Sequence, residues 1–191
     1  MSILEIAASV LSLISVWLVA KEKIWCWPTG IVSVFIYTWI FYQTKLYSDA
    51  LLQLAFAAMQ IFGWKNWQKN TSLQFDLNIR SIKKAEISAG LVFIALTSVI
   101  LGWLMFNYTN ADFSFLDAAC TAISLFAQFL LSRKIIQSWL LWILVDVIYV
   151  FIYFQKGLYP TAFLYTLFVV MAILGYINWK NRMLQKSNNS Y

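Results

Sequence analysis

Seven apolar runs of near-membrane length, parted by short polar breaks, constrain this chain more than any other feature. They lie at about 3–20, 27–43, 48–67, 86–106, 114–131, 138–155 and 159–180. Uncharged stretches of about 18 residues suit a membrane helix. In lipid the backbone must satisfy its own hydrogen bonds, which leaves helices and closed barrels. Barrel strands read as alternations of roughly ten residues, which these runs are not. The 191 residues are 62% hydrophobic and 12% charged, with a mean hydropathy of +0.72. No ordinary soluble domain has that balance. The fold class expected is an all-α polytopic membrane protein with seven transmembrane helices. Pro28 and Pro160 sit near helix starts, where a missing N–H costs little. The first run has no basic leader, carries Glu5 and precedes Lys21 and Lys23, so it reads as a retained helix rather than a signal peptide.

Charge gives the orientation. Alternate connections and the C-terminus hold twelve basic residues: Lys21, Lys23, Lys65, Lys69, Arg80, Lys83, Lys84, Arg133, Lys134, Lys180, Arg182 and Lys186. The opposite connections hold Lys45 and Lys156 alone. By the positive-inside rule the N-terminus is periplasmic and the C-terminus cytoplasmic. The net charge of +6 is then explained by topology and anionic lipid, without a nucleic-acid partner. Glu5, Asp49, Asp112 and Asp117 fall towards the outer side, either as solvated loop ends or as a weak attractive field for cations. Asp117 also suits the start of the fifth helix, whose dipole favours an acid.

The chain repeats itself at a shift of 112 residues. Residues 42–67 lie over 154–179 with eleven of 26 positions identical, among them Tyr47/Tyr159, Gly63/Gly175, Asn66/Asn178 and Trp67/Trp179. The match reaches back to Trp27/Trp139 and, weakly, to Ser12/Ser124. Two three-helix repeats joined by a single linker helix must run parallel, a 3+1+3 layout with substrate expected between the triplets. The divisions expected are 1–67, a linker region 68–112, 113–180, and a polar tail 181–191. Residues shared by both halves read as scaffold: Gly63 and Gly175 for close packing, Trp67 and Trp179 as interfacial anchors.

The candidate site is the run Trp139–Tyr153. Trp139, Trp142, Asp146, Tyr149 and Tyr153 are spaced to share one helical face. A carboxylate at mid-membrane costs about 2.5–3.5 kcal/mol on insertion scales, so Asp146 faces protein or a wet cavity. An acid among aromatic faces suits an organic cation. Where the first half has Gly30 and Val34, the second has Trp142 and Asp146. Gln128, Gln60 and Gln53 are likewise unmatched, opposite Val16, Ala172 and Tyr165. The substrate-binding candidates are therefore Trp139, Trp142, Asp146, Tyr149, Gln53, Gln60 and Gln128. Plainer readings stand beside them: a protonated or paired Asp146, core packing for Trp142 and Tyr149, an interfacial belt position for Trp139, and interhelical hydrogen bonds for the glutamines.

No enzyme constellation is present. The chain has no His and only Cys26 and Cys120, too few for a zinc site. Those two fall towards opposite faces, against a disulfide. No phosphate-binding lysine loop appears, and no cofactor is expected. No second acid or base pairs with Asp146 in sequence, which favours passive transport.

The motif W-x-x-W-x-x-x-D at Trp139, Trp142 and Asp146 resembles the Pnu family of bacterial vitamin transporters. WPTGIVSVFIYTWIFYQTKLYSDA and GLYPTAFLY...GYINW resemble it too, over nearly the whole chain. The resemblance implies a SWEET-like fold and facilitated diffusion of an unphosphorylated vitamin across the inner membrane, with a cytoplasmic kinase trapping it. It implies stacking and polar contacts from Trp139, Trp142 and Asp146, and some members form homotrimers. The family includes nicotinamide riboside, thiamine and riboflavin carriers. Its well-known nicotinamide riboside members are longer and carry Asn where this chain has Asp146. A carboxylate can accept from the amine of an aminopyrimidine, so the expectation leans to thiamine (the PnuT type), with nicotinamide riboside (the PnuC type) as the alternative. A non-transporting membrane scaffold is the reading from another class.

Overall fold

The computed structural model describes residues 3–43, 47–72, 78–108 and 114–188. Lys45, Asp112 and residues 73–77 of the linker lie outside the described residues, as do the side chains of Asp49, Lys69 and Lys186. Seven helices are present among them: α1 (Ile3–Ala20), α2 (Cys26–Gln43), α3 (Tyr47–Ser72), α4 (Lys84–Tyr108), α5 (Ser114–Ser132), α6 (Ser138–Gln155) and α7 (Tyr159–Asn188). Five segments are long and apolar enough to cross a membrane: α1, α4, α5, α6 and residues 159–185 of α7. α2 and α3 have the length but carry polar or amphipathic side chains (Ser33, Tyr37 and Thr38; Gln53 and Gln60) that lower their hydropathy.

Six helices close a ring in the order α1, α2, α3, α5, α6, α7 and back to α1. Among the described helices α4 stands outside it and touches α5 alone, held by Phe126 over Gly90 and Phe115 over Gly102. Much of the rest of α4 shows apolar side chains outward, including Leu91, Leu96, Val99 and Trp103. Such a surface belongs against lipid rather than water.

One end of the ring gathers the basic turns. α1 and α5 both stop in a Schellman turn, which satisfies otherwise orphaned helix carbonyls. Lys23 N–H reaches Leu18 O and Glu22 N–H reaches Val19 O; Ile135 N–H reaches Leu130 O and Lys134 N–H reaches Leu131 O. The residues with positive φ at these turns are Glu22 (54°) and Lys134 (52°), where glycine is usual. They are 112 apart, and they bind each other: Lys134 Nζ lies 2.7 Å from Glu22 Oε2. Arg182 of α7 takes the other Glu22 oxygen at 2.8 Å. Lys134 also lies over the Trp67 ring. Two asparagines seal the same end, Asn66 donating to Ser132 O and Asn178 to Ala20 O. Arg80 pairs with Ile135 through the backbone and with Glu86 at 2.6 Å. Turns 21–25, 78–83 and 133–137 and the end of α7 therefore meet, as the alternation of charge requires. Glu22→Gln and Lys134→Gln should each cost about 1–2 kcal/mol, between exposed and buried ion pairs. The double variant should cost less than the sum, read from unfolding midpoints in detergent.

Beneath this end lies an indole floor. Trp27 packs over Gly63 and edge-on to Trp67, at 5.3 Å and 83°. Trp139 packs over Gly175 and edge-on to Trp179, at 5.5 Å and 87°. Trp67 and Trp179 are 4% and 0% exposed, so neither is the interfacial anchor expected. α3 and α7 run on to Ser72 and Asn188, which moves these indoles from the helix ends into the core. Trp139, also buried, is no belt residue. A Cβ on Gly175 would lie 2.7 Å from the Trp139 ring. Gly175→Leu should therefore destabilise the fold by about 1–3 kcal/mol through overpacking, seen as a lower unfolding temperature.

Candidate functional site

The hollow of the ring is a cavity of about 720 Å³. At the end near the basic turns it is bounded by Val19, Trp27, Leu131 and Trp139, part of a continuous buried cluster. Towards the other end it reaches Glu5, Phe41, Asp117, Tyr153 and Lys156. All seven sequence candidates line this one space: Gln53 and Gln60 from α3, Gln128 from α5, and Trp139, Trp142, Asp146 and Tyr149 from α6. Tyr153 joins them, so the whole α6 face set by the +3, +4 spacing points inward.

Asp146 is 5% exposed, halfway along α6. Among the described residues it makes no hydrogen bond or ion pair. A buried ionised carboxylate without a partner costs several kcal/mol. A bound cation would supply the partner that the described residues do not. Trp142, one turn away on the same face, is half-buried against the floor cluster. Gln128 is 9% exposed and also makes no hydrogen bond among the described residues.

The expected pairing of Tyr149 with substrate is qualified by its neighbours. Its hydroxyl donates to Asp117 Oδ1 at 3.1 Å. Its ring stacks on Tyr153 at 5.8 Å and meets Tyr165 at 5.2 Å. Tyr149 thus belongs to an aromatic wall at the end away from the basic turns, with Asp117 tying α5 to α6. Trp139 likewise shows the cavity only part of a ring otherwise held by Trp179 and Gly175.

The asymmetry between halves is an exchange of volume. A Cβ on Gly30 would overlap the Gln60 side-chain oxygen, so glycine is what lets Gln60 lie across α2. In the second half the order is reversed: the large Trp142 stands on α6 and the small, buried Ala172 on α7. One side of the hollow thereby gains an amide and the other a flat indole.

Sequence reasoning passed over Ser9, Ser15 and Ser33, and gave Ser12 only as a repeat match; all four line the cavity. Their signal was available. Ser9, Ser12 and Ser15 recur every third residue of a helix that is apolar apart from them and Glu5, which keeps them near one face. No cluster of three metal-ligating side chains occurs among the described residues. Cys26 and Cys120 are buried and unbridged.

The chain matches the family described as nicotinamide mononucleotide transporter over residues 2–181. It belongs to that family. It is a multi-pass membrane transporter rather than an enzyme. Among relatives of this family, it is 27% identical over 219 residues to the nicotinamide riboside transporter PnuC of Escherichia coli (strain K12), covering all of this chain and 90% of that protein. It is 24% identical over 178 residues to the riboflavin/roseoflavin transporter RibM of Streptomyces davaonensis, covering 92% of this chain and 83% of that protein. A solved structure described as the crystal structure of the vitamin B3 transporter PnuC shares the fold, with a TM-score of 0.74 and 23% identity over 95% of this chain and 82% of that one. These relatives are named for nicotinamide riboside, riboflavin and vitamin B3, so the lean to thiamine drawn from Asp146 finds no support in them.

Proposed function

We propose that this protein carries nicotinamide riboside across the bacterial inner membrane by facilitated diffusion. The observation that carries the reading is the buried Asp146, unpartnered among the described residues, beside Trp142 in the central cavity. Nicotinamide riboside is a pyridinium. Its positive ring can stack on the Trp142 indole while Asp146 supplies the countercharge. Gln53, Gln60 and Gln128 offer amides for its polar edges, Trp139 forms the floor, and Tyr149 part of the outer wall. Similarity along the whole chain to a nicotinamide riboside transporter favours the same substrate.

Charge argues for the unphosphorylated form. The described lining holds Glu5, Asp117 and Asp146 against Lys156 alone. A phosphate dianion would meet net repulsion inside. Trapping by a cytoplasmic kinase then makes net uptake possible without a coupled ion. The same reading takes 1–67 and 113–180 as parallel repeats about an axis along the membrane normal, all seven helices as spans, and the basic end as cytoplasmic; a homotrimer accords with it. The contacts that recur 112 residues apart support the repeat.

Thiamine remains the second reading, because the Asp146 carboxylate also suits an aminopyrimidine. The test is a calorimetric titration of the purified protein with nicotinamide riboside, its mononucleotide and thiamine. Nicotinamide riboside should bind, with the mononucleotide at least about tenfold weaker from unfavourable charge. Thiamine binding tighter than nicotinamide riboside would reverse the assignment. In proteoliposomes the substrate should equilibrate without an ion gradient; accumulation beyond equilibrium without a kinase would refute facilitated diffusion.

A further inference from the structure

On the wall facing α6, three serine hydroxyls have their protons already committed. Ser33 Oγ donates to Ala8 O at 2.8 Å. Its contact with Ser12 Oγ at 2.7 Å must then use the Ser12 proton. Ser15 Oγ donates to Cys26 O at 2.8 Å. Ser12 and Ser15 are therefore left as acceptors. Beside Ser15 lies the Gln60 side-chain oxygen, the two flanking the notch over Gly30: a Cβ there would lie 2.8 Å from Ser15 Oγ and overlap Gln60. Gln128, 9% exposed and without a hydrogen bond among the described residues, lines the same space. In the second half Ser12 is matched by Ser124, but the positions of Ser15 and Ser33 are Ala127 and Val145, so the full set of three hydroxyls belongs to the first half.

Such a row of acceptors suits a ligand rich in O–H donors. We infer that Ser12, Ser15 and Gln60, arranged around Gly30, form a polyol subsite that takes the sugar or sugar-alcohol hydroxyls of a substrate whose aromatic ring lies on the Trp142–Asp146 side. The inference rests on the reading of this cavity as a transport site, but on no single vitamin. It assigns the substrate class as an aromatic ring bearing a vicinal diol, which nicotinamide riboside and riboflavin have and thiamine lacks.

The experiment is a set of titrations of the full chain in detergent with nicotinamide riboside, nicotinamide 2′-deoxyriboside, riboflavin, lumichrome and thiamine. Wild-type protein should lose about tenfold in affinity when one sugar hydroxyl is removed, the worth of one unmade hydrogen bond at a buried site. In the Ser12→Ala/Ser15→Ala variant that difference should vanish, while Ser12→Thr, which keeps the hydroxyl, should retain it. Equal wild-type affinity for the riboside and its deoxy form overturns the subsite without needing any variant to fold. A serine variant that binds both as wild type does overturns it as well. Riboflavin bound over lumichrome with the same serine dependence, and no binding of nicotinamide riboside, would refute the proposed vitamin and leave the subsite standing. Thiamine binding with no sugar-bearing ligand bound would refute both.

Discussion

Asp146→Leu should weaken nicotinamide riboside binding by about 100-fold while leaving the protein as stable as before, or more so. A hydrogen bond to a charged group is worth about 1.5–3 kcal/mol, which is roughly 10- to 150-fold. The stability half of the prediction follows from the missing partner. Among the described residues nothing pairs with this buried carboxylate, so a leucine of similar size removes a desolvation cost and breaks no bond. Calorimetry and thermal unfolding in the same detergent check the two halves together. A structural Asp146 would give the opposite pattern, a loss of stability with no affinity to lose. Asp146→Asn separates the substrates further. An amide can still bond the carboxamide of nicotinamide riboside, so its affinity should fall by no more than about tenfold. Thiamine, if it binds, should lose the carboxylate its aminopyrimidine requires.

Trp142→Ala is the second large effect. Stacking of a base on an aromatic side chain is worth about 1–3 kcal/mol, so binding should fall by roughly 5- to 150-fold. Trp142 also packs against the floor cluster, and truncation leaves a void. The unfolding temperature should drop as well, by less than for Trp139→Ala, whose ring is 2% exposed and wedged between Trp179 and Gly175. Trp142→Phe should recover part of the affinity by restoring a smaller face. Transport into vesicles loaded with the matching kinase reads the same losses as initial rates. If Trp142→Ala leaves both affinity and rate unchanged, the indole is core packing alone.

Much of the site was legible because lipid makes polarity conspicuous. Asp146, Gln53, Gln60 and Gln128 stood out in apolar runs, and all four line the cavity. The repeat separated Trp142 from Trp139 before any coordinates did, and the geometry agrees: one is half-exposed to the hollow, the other locked into an indole pair that the first half duplicates. The ends of α3 and α7 were less legible. Both helices continue past the apolar core into polar sequence, where hydropathy falls but helical hydrogen bonding does not. That continuation is why Trp67 and Trp179 were misread as surface anchors. The serines escaped for another reason. A hydroxyl is tolerated in a membrane helix by bonding its own backbone, so a lone serine carries little signal, and only the three-residue rhythm in α1 marks them.

Glu22 and Lys134 occupy the same turn in each half yet carry opposite charge and face each other. Identical residues at that position would set two like charges head to head across this contact. Opposite charge favours this contact over one between like residues, the logic by which paired strands of a coiled coil choose unlike mates. The covalent chain is therefore not the only thing that joins the turn after α1 to the turn after α5: the seam itself is written in complementary letters.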